Sequence, residues 1–423
     1  MSGYKPSDSE EDRAKVTSTH RRFPADASET SESDAKVTLE AEKPLKARLA
    51  SFRTRLIWSL IMIAGFILTV AAGHFYCCVL VLVTNMYIFQ EILALRRDQT
   101  RDKKLPYFFV INWYFFFLTF FSVSLSMLRE KILMVLSYTQ ADTMLRSSHL
   151  IFFSLYVMGI VIFVISLRRG QLRYQFIQFG WTHCVCLIVV VQSSSFTRNI
   201  YSGLIWFLLP TSLVIINDSF AYIFGFFFGR TPLIKISPKK TWEGFIGGLI
   251  STIIWAFYVR FMQFSQYLST FDYLICQPEM ITLRPFQTLS CARDDFYMVR
   301  ERALPEIFSY MGLSTAVVSG LQVHAMVLGC FAGFIAPFGG FFASGFKRAF
   351  KIKDFGDSIP GHGGVTDRMD CQLLMGMFTC AWQNAFLGQS GPNVALVIQS
   401  ALQLSEADKA KLLEALRTHV GIS

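Results

Sequence analysis

The sequence predicts an all-α, polytopic transmembrane protein of about nine spans, and three observations carry that expectation. Of its 423 residues 52% are hydrophobic and only 17% charged, against about 25% charged in an ordinary soluble domain. The apolar residues come in blocks, each long enough to supply the roughly 20 helical residues that a ~30 Å hydrocarbon layer requires. Lysine and arginine are distributed unevenly among the connections between those blocks.

Residues 1–50 are polar and rich in Ser, Glu and Lys; such a composition buries too little surface to fold and reads as a disordered cytosolic tail. No signal peptide is evident at Met1. Residues 51–388 are expected to form the transmembrane domain. Its blocks are 56–72, 75–93, 107–127, 150–167, 176–192, 200–228, 245–262, 323–343 and 371–387. The sixth is too long for one plain crossing. Pro210 and the pair Asn217-Asp218 suggest a kinked or broken helix lining a cavity. Residues 263–322 form a lumenal loop, and 389–423 a C-terminal segment with a short amphipathic helix capped by Ser405 and Asp408.

Nine crossings place the tail and four short connections on one face. Those connections hold 17 Lys and Arg, against 8 on the other face. Basic residues mark the cytosolic side, so that face is cytosolic. The net charge of +10 then reflects orientation and anionic lipid, not nucleic acid. The nine cysteines show no CxxC pair and no zinc spacing. Cys276 and Cys291 alone share a polar loop, and a disulfide between them requires that loop to be lumenal.

Two stretches on the cytosolic side look chemical. In the first, Asp218 lies within an apolar run, where a carboxylate needs a partner or a water-filled cavity; a helix–helix salt bridge is the simpler alternative. Ser237-Pro238-Lys239-Lys240-Thr241 follows, with cations and neutral donors suited to a polyphosphate, although basic juxtamembrane loops are common. The second runs from Ser344 to Asp370. It holds Lys347, Arg348, Lys351 and Lys353, then Asp354, a turn through His362-Gly363-Gly364, and Asp367-Arg368-Met369-Asp370. Asp367 and Asp370 share a helix face. Paired carboxylates suit a Mg²⁺ that also bridges substrate phosphates, but two acids also stabilise a helix N-terminus. Neither a Walker A motif nor the partners of a kinase DFG accompany them.

These residues stand at the spacing of a known signature. Ser344-x-x-Lys347-Arg348, Lys353-Asp354, Pro360-x-His362-Gly363-Gly364 and Asp367-Arg368-x-Asp370 resemble the phosphatidate cytidylyltransferase (CDP-diacylglycerol synthase) family. Asp218, Ala221-Tyr222, Gly229 and Ser237 to Gly244 resemble its upstream segment, and the tail and long loop look like the animal form. The resemblance implies a Mg²⁺-dependent enzyme of the endoplasmic reticulum membrane, commonly a homodimer, that joins CTP to phosphatidic acid. Carried over residue by residue, it implies Asp218, Asp367 and Asp370 at the metal, and Lys353, Asp354, Asp367 and Asp370 at the reaction centre. Ser237, Lys239, Lys240, Thr241, Ser344, Lys347, Arg348, His362, Gly363, Gly364 and Arg368 would then meet the substrates. One departure stands out: bacterial relatives often carry an Asp four residues before the signature serine, where this chain has Gly340. Rival expectations are a CTP-dependent lipid-alcohol kinase, which releases CDP instead of pyrophosphate, and a polytopic transporter, which needs no cluster of cations, glycines and paired acids.

Overall fold

The computed structural model describes residues 45–97, 102, 105, 107–127, 138–234, 236–258, 270–278, 283–291, 295–303, 315–387, 398, 401–402 and 404–420. The chain divides into two units after Ile57. Of the first, residues 45–57 are described and are helical, so the expected tail lies outside the described residues except for its last six, which already belong to a helix. The second unit carries everything that follows.

Helices α1 (Leu45–Ala72) and α2 (His74–Ala94) are separated by Gly73, whose φ of 124° few other residues adopt. Helices α3 (Phe108–Met127) and α4 (Tyr138–Ile165) follow. Next come α5 (Leu172–Val185), a π-helical segment (Cys186–Val191) and α6 (Gln192–Tyr201), then α7 (Ile205–Phe228). The break expected within the sixth block does not occur at Pro210 or at Asn217-Asp218; α7 runs through all three, and the block is interrupted only before it, after α6. The chain turns at Gly203, φ 123°, where a side chain would meet the Ile275 carbonyl at 3.0 Å. Pro210 is close to the start of α7 and sits inside an unbroken helix, where its missing N–H removes one hydrogen bond.

A two-stranded hairpin, β1 (Pro232–Ile234) and β2 (Ser237–Thr241), leads into α8 (Trp242–Phe257). Beyond it are α9 (Thr270–Ile275) and a second hairpin, β3 (Arg300–Ala303) with β4 (Thr315–Val318). Cys276 and Cys291 are joined in a disulfide with Cα atoms 5.8 Å apart. The last elements are α10 (Gly320–Phe334), α11 (Pro337–Ala349), α12 (Thr366–Phe386) and α13 (Glu406–Val420). Ser319 and Gln322 form a capping box on α10, and Ser405 caps α13 through the Asp408 amide.

Among the described residues seven helical runs are long and apolar enough to cross a membrane. They cover seven of the nine expected blocks. The block at 245–262 falls on α8, whose 16 residues are a shorter apolar helix. The block at 371–387 falls on α12, which is long enough but carries too many polar side chains to qualify by composition.

Helix α12 tolerates them because its neighbours bury them. Gln372 donates to the Thr211 carbonyl (3.2 Å) and Gln383 to the Asn199 side chain (3.0 Å), while Asn199 donates to the Gly376 carbonyl (3.0 Å). Satisfied polar groups of this kind hold helices together where lipid offers no partner. Around them Leu209, Leu213, Leu321, Ala325, Leu328 and Met375 form one apolar core; Ile88, Phe89, Phe116 and Val189 anchor a second. Helices α7 and α8 meet along a glycine seam. A Cβ on Gly244 would lie 2.6 Å from the Ala221 carbonyl, and one on Gly248 would lie 3.0 Å from that of Asn217. Leu60, Ile67, Leu150 and Ile165 are exposed on outer helices, the distribution a lipid-facing surface requires.

Candidate active site

The first stretch is shaped by local hydrogen bonding. Thr241, the N-cap of α8, accepts from the Gly244 amide at 3.2 Å. Glu243 reaches back across the hairpin and accepts from the Thr231 hydroxyl at 2.6 Å and from the Arg230 and Thr231 amides at 3.1 and 3.2 Å. The Thr231 hydroxyl, followed by nearby backbone amides, holds the Glu243 carboxyl at about 2 instead of its ordinary 4.5. Since the folded pKa is the lower, this contribution to the hairpin is complete above pH 4.5 and is lost as pH falls toward 2. At neutral pH the Arg230 and Thr231 amides of Glu243→Gln are expected to exchange hydrogen faster than in wild type, with the gap closing in acid. A gap independent of pH would assign it to some other group.

The second stretch begins at the C-terminal turn of α11, where Lys347 and Arg348 are favourably placed against the helix dipole. Lys347 Nζ lies 2.6 Å from Asp367 Oδ1, and both side chains are largely buried. The other oxygen of Asp367 accepts from the Phe355 amide (2.9 Å) and the Gly364 amide (3.2 Å). Asp367 therefore ties the connection between α11 and α12 to α11. Within that connection Gly361 and Gly363 have φ of 78° and 83°, and Ile359 bridges Gly363. The ring of Phe355 is buried, with Lys347 Nζ 5.5 Å from its centroid.

The two stretches meet. A Cβ on Gly340 would lie 3.1 Å from Lys240 Nζ, 3.3 Å from Cys371 Sγ and 3.4 Å from Asp370 Oδ2. Lys240 Nζ also sits 4.6 Å from the Phe341 centroid. Asp218 on α7 feels the charges of Lys240, Asp370 and Arg368, while Asp370 feels those of Lys240 and Lys347. The charged groups thus run in sequence from Asp218 through Lys240, Asp370 and Lys347 to Asp367. Asp218 is exposed along α7, whereas Asp370 is half-buried.

The expected metal set of Asp218, Asp367 and Asp370 is not assembled as one cluster. Among the described residues no three His, Cys, Asp or Glu side chains converge to hold an ion. Asp367 is turned away, its oxygens taken by Lys347 and two amides. Asp218 and Asp370 remain, and two carboxylates are what Mg²⁺ uses when substrate phosphates and water complete its shell. Asp218 and Asp370 lie close enough to feel each other's charge, so the chemistry of these two residues fits such an ion.

The remaining expected residues divide similarly. The Ser344 hydroxyl donates to the Gly340 carbonyl at 2.7 Å, an ordinary helical contact, and that of Thr241 is the cap already described. Ser237 is half-buried at the start of β2, and Arg348 is exposed. Lys353 is 83% exposed, 3.7 Å from Asp354. Arg368 donates to the His362 carbonyl at 2.9 Å, and His362 Nε2 is 3.1 Å from Ser59 Oγ. The side chain of Lys239 lies outside the described residues. Sequence reasoning passed over Glu91, near the end of α2, although a lone carboxylate in an apolar block was visible there. A cavity of about 380 Å³ opens at the other end of α2, beside Gly73 and the disulfide; none of the expected site residues lines it.

The fold and this cluster define a polytopic helical membrane protein that gathers Lys240 and Lys347 with the carboxylates of Asp218, within α7, and Asp370, near the start of α12. Residues 53–386 match the Cytidylyltransferase family. Phosphatidate cytidylyltransferase 1 of Arabidopsis thaliana is 43% identical over 358 residues, covering 83% of each chain. The phosphatidate cytidylyltransferase of Saccharomyces cerevisiae is 40% identical over 377 residues, covering 88% of this chain and 81% of its own. Phosphatidate cytidylyltransferase 2 of Homo sapiens is 38% identical over 400 residues, covering 94% of this chain and 87% of its own. The chain belongs to the cytidylyltransferase family.

Proposed function

We propose that the protein transfers the cytidylyl group of CTP to phosphatidic acid, giving CDP-diacylglycerol for phospholipid synthesis and releasing pyrophosphate. The observation that carries this reading is the meeting of Lys240 and Asp218 with Asp370 and Lys347 from a stretch more than a hundred residues away. A phosphate oxygen of phosphatidic acid attacks the α-phosphorus of CTP, and the bond from that phosphorus to the bridging oxygen breaks, expelling pyrophosphate. The nucleophile is already an anion, so the protein's task is to position two polyanions and neutralise their repulsion. Lys240, Lys347 and Arg368 hold phosphates, with the exposed Arg348 and Lys353 at the entrance; Lys239 is assigned to substrate phosphates by the family resemblance alone. Asp218 and Asp370 would hold Mg²⁺, which when bound supplies charge neutralisation at the phosphates. Asp354 orients Lys353, His362-Gly363-Gly364 shapes the turn beside the nucleotide, and Asp367 keeps Lys347 in place. The lipid substrate approaches along α7, where Asp218 is exposed.

The preponderance of basic residues in the short connections on the site's side supports an active site facing the cytosol, with the Cys276–Cys291 bridge on the lumenal side, and the family resemblance supports the endoplasmic reticulum as the membrane. The family resemblance supports a homodimer. The reaction is tested with α-labelled CTP, phosphatidic acid and purified protein in liposomes. Label is expected in CDP-diacylglycerol, with pyrophosphate in equal amount. Release of CDP would indicate a lipid-alcohol kinase instead, and solute flux without a covalent product a transporter.

A further inference from the structure

We infer that Glu91 is a positioning residue for the reaction, setting the start of α12 and thereby the placement of Asp367 and Asp370. This rests on the proposed function, because it assigns a task within that site. Glu91 is 6% exposed, near the end of α2, more than 260 residues from the segment it touches. Its Oε1 accepts from the Ser358 hydroxyl (2.5 Å) and the Val365 amide (2.9 Å), and its Oε2 from the Thr366 amide (2.8 Å). Val365 is the N-cap of α12 and Thr366 its first residue. Two backbone donors that the helix leaves without intrahelical partners are therefore met by one carboxylate from another helix. The negative charge also lies where the macrodipole favours it.

A carboxylate suits this position and an amide does not. Ionised, Glu91 is acceptor-only, with lone pairs enough for all three donors. A glutamine of the same shape would turn an NH₂ toward one of them and leave a buried N–H unmet. The opposing segment is built around the carboxylate. A Cβ on Gly364 would lie 2.7 Å from Oε2, and one on Gly356 would lie 3.1 Å from Oε1. This close approach accounts for a glycine at both positions.

Asp367 and Asp370 stand in the first two turns of α12, so a shift of its start displaces both. Asp367 would lose register with Lys347 and the Phe355 amide, and Asp370 with Lys240 and Asp218. Glu91 touches neither substrate in this arrangement and acts only through the helix it holds.

The test uses the full chain in nanodiscs and compares wild type, Glu91→Gln, Glu91→Asp and Ser358→Ala. In Glu91→Gln, kcat/KM for CTP is expected to fall about 10- to 100-fold, the usual range for losing a partner that orients a site. A raised KM should contribute, and the folded fraction by thermal melting should match wild type. Glu91→Asp, still an anion but shorter, should recover part of the loss, and Ser358→Ala should have the smallest effect. Hydrogen exchange at the Val365 and Thr366 amides should accelerate in Glu91→Gln. Unchanged KM and kcat would overturn the inference, as would a loss that only tracks the folded fraction. If wild type makes no CDP-diacylglycerol, the proposed function fails. The exchange rates at Val365 and Thr366 would still report whether Glu91 holds that helix start.

Discussion

Asp370→Asn is expected to lower turnover of CTP and phosphatidic acid at least about 100-fold, at the upper end of or beyond what loss of an orienting partner costs, while leaving the fold intact. Asp370 Oδ1 accepts from the Cys371 amide at 2.8 Å, and an asparagine oxygen accepts it equally well. The substitution also removes the repulsion between Asp370 and Asp218, so the melting temperature should hold or rise. What is lost is one of the two carboxylates available to a divalent cation. The Mg²⁺ concentration for half-maximal activity should therefore rise along with the fall in rate. Product formation, a Mg²⁺ titration and a melting curve on the same preparation decide the matter. Turnover near wild type would remove Asp370 from the reaction centre.

Asp367→Asn is expected to behave differently, losing stability as well as rate. Its carboxylate is 8% exposed and pairs with a Lys347 that is 19% exposed. Neutralising one member of a buried pair leaves the other charge uncompensated, typically at a cost of about 3 kcal/mol or more. The same change turns an NH₂ toward Lys347 or toward the Phe355 and Gly364 amides. Adding Lys347→Met should return part of the stability, because no charge is then stranded, without returning activity. Denaturation of the single and double variants in matched detergent makes the comparison. A single variant as stable as wild type would mean that the pair does not hold the connection between α11 and α12.

The contrast between these two residues shows how far the sequence could be read. The three-residue spacing correctly put Asp367 and Asp370 on neighbouring turns of one helix, but spacing does not tell where each carboxylate points. That depended on Lys347, placed by the end of α11, and on the backbone path through Phe355 and Gly364. Lys240 and Asp370 were both visible as charged residues, whereas their meeting beside Gly340 is a tertiary fact that no local pattern encodes. The spans were legible where lipid demands a uniform apolar run, as in α1, α4 and α7. The limits of the sixth block were set by Gly203, because a close approach to the Ile275 carbonyl, unlike a proline, leaves no mark in hydropathy. Glu91 was present as an anomaly without an explanation, since its partners lie in a segment far along the chain.

The polar interior of α12 has a consequence for biogenesis. A nascent segment bearing Gln372, Thr379 and Gln383, with Asp367, Arg368 and Asp370 at its head, gains little from entering lipid alone. Its insertion therefore depends on a groove already formed by α6, α7 and α11, which supply the carbonyls and amides it bonds. Synthesis in that order brings Asp367 and Asp370 last, to a scaffold in which Lys347 and Lys240 already stand, so the late acids complete charges that the earlier helices have set in place.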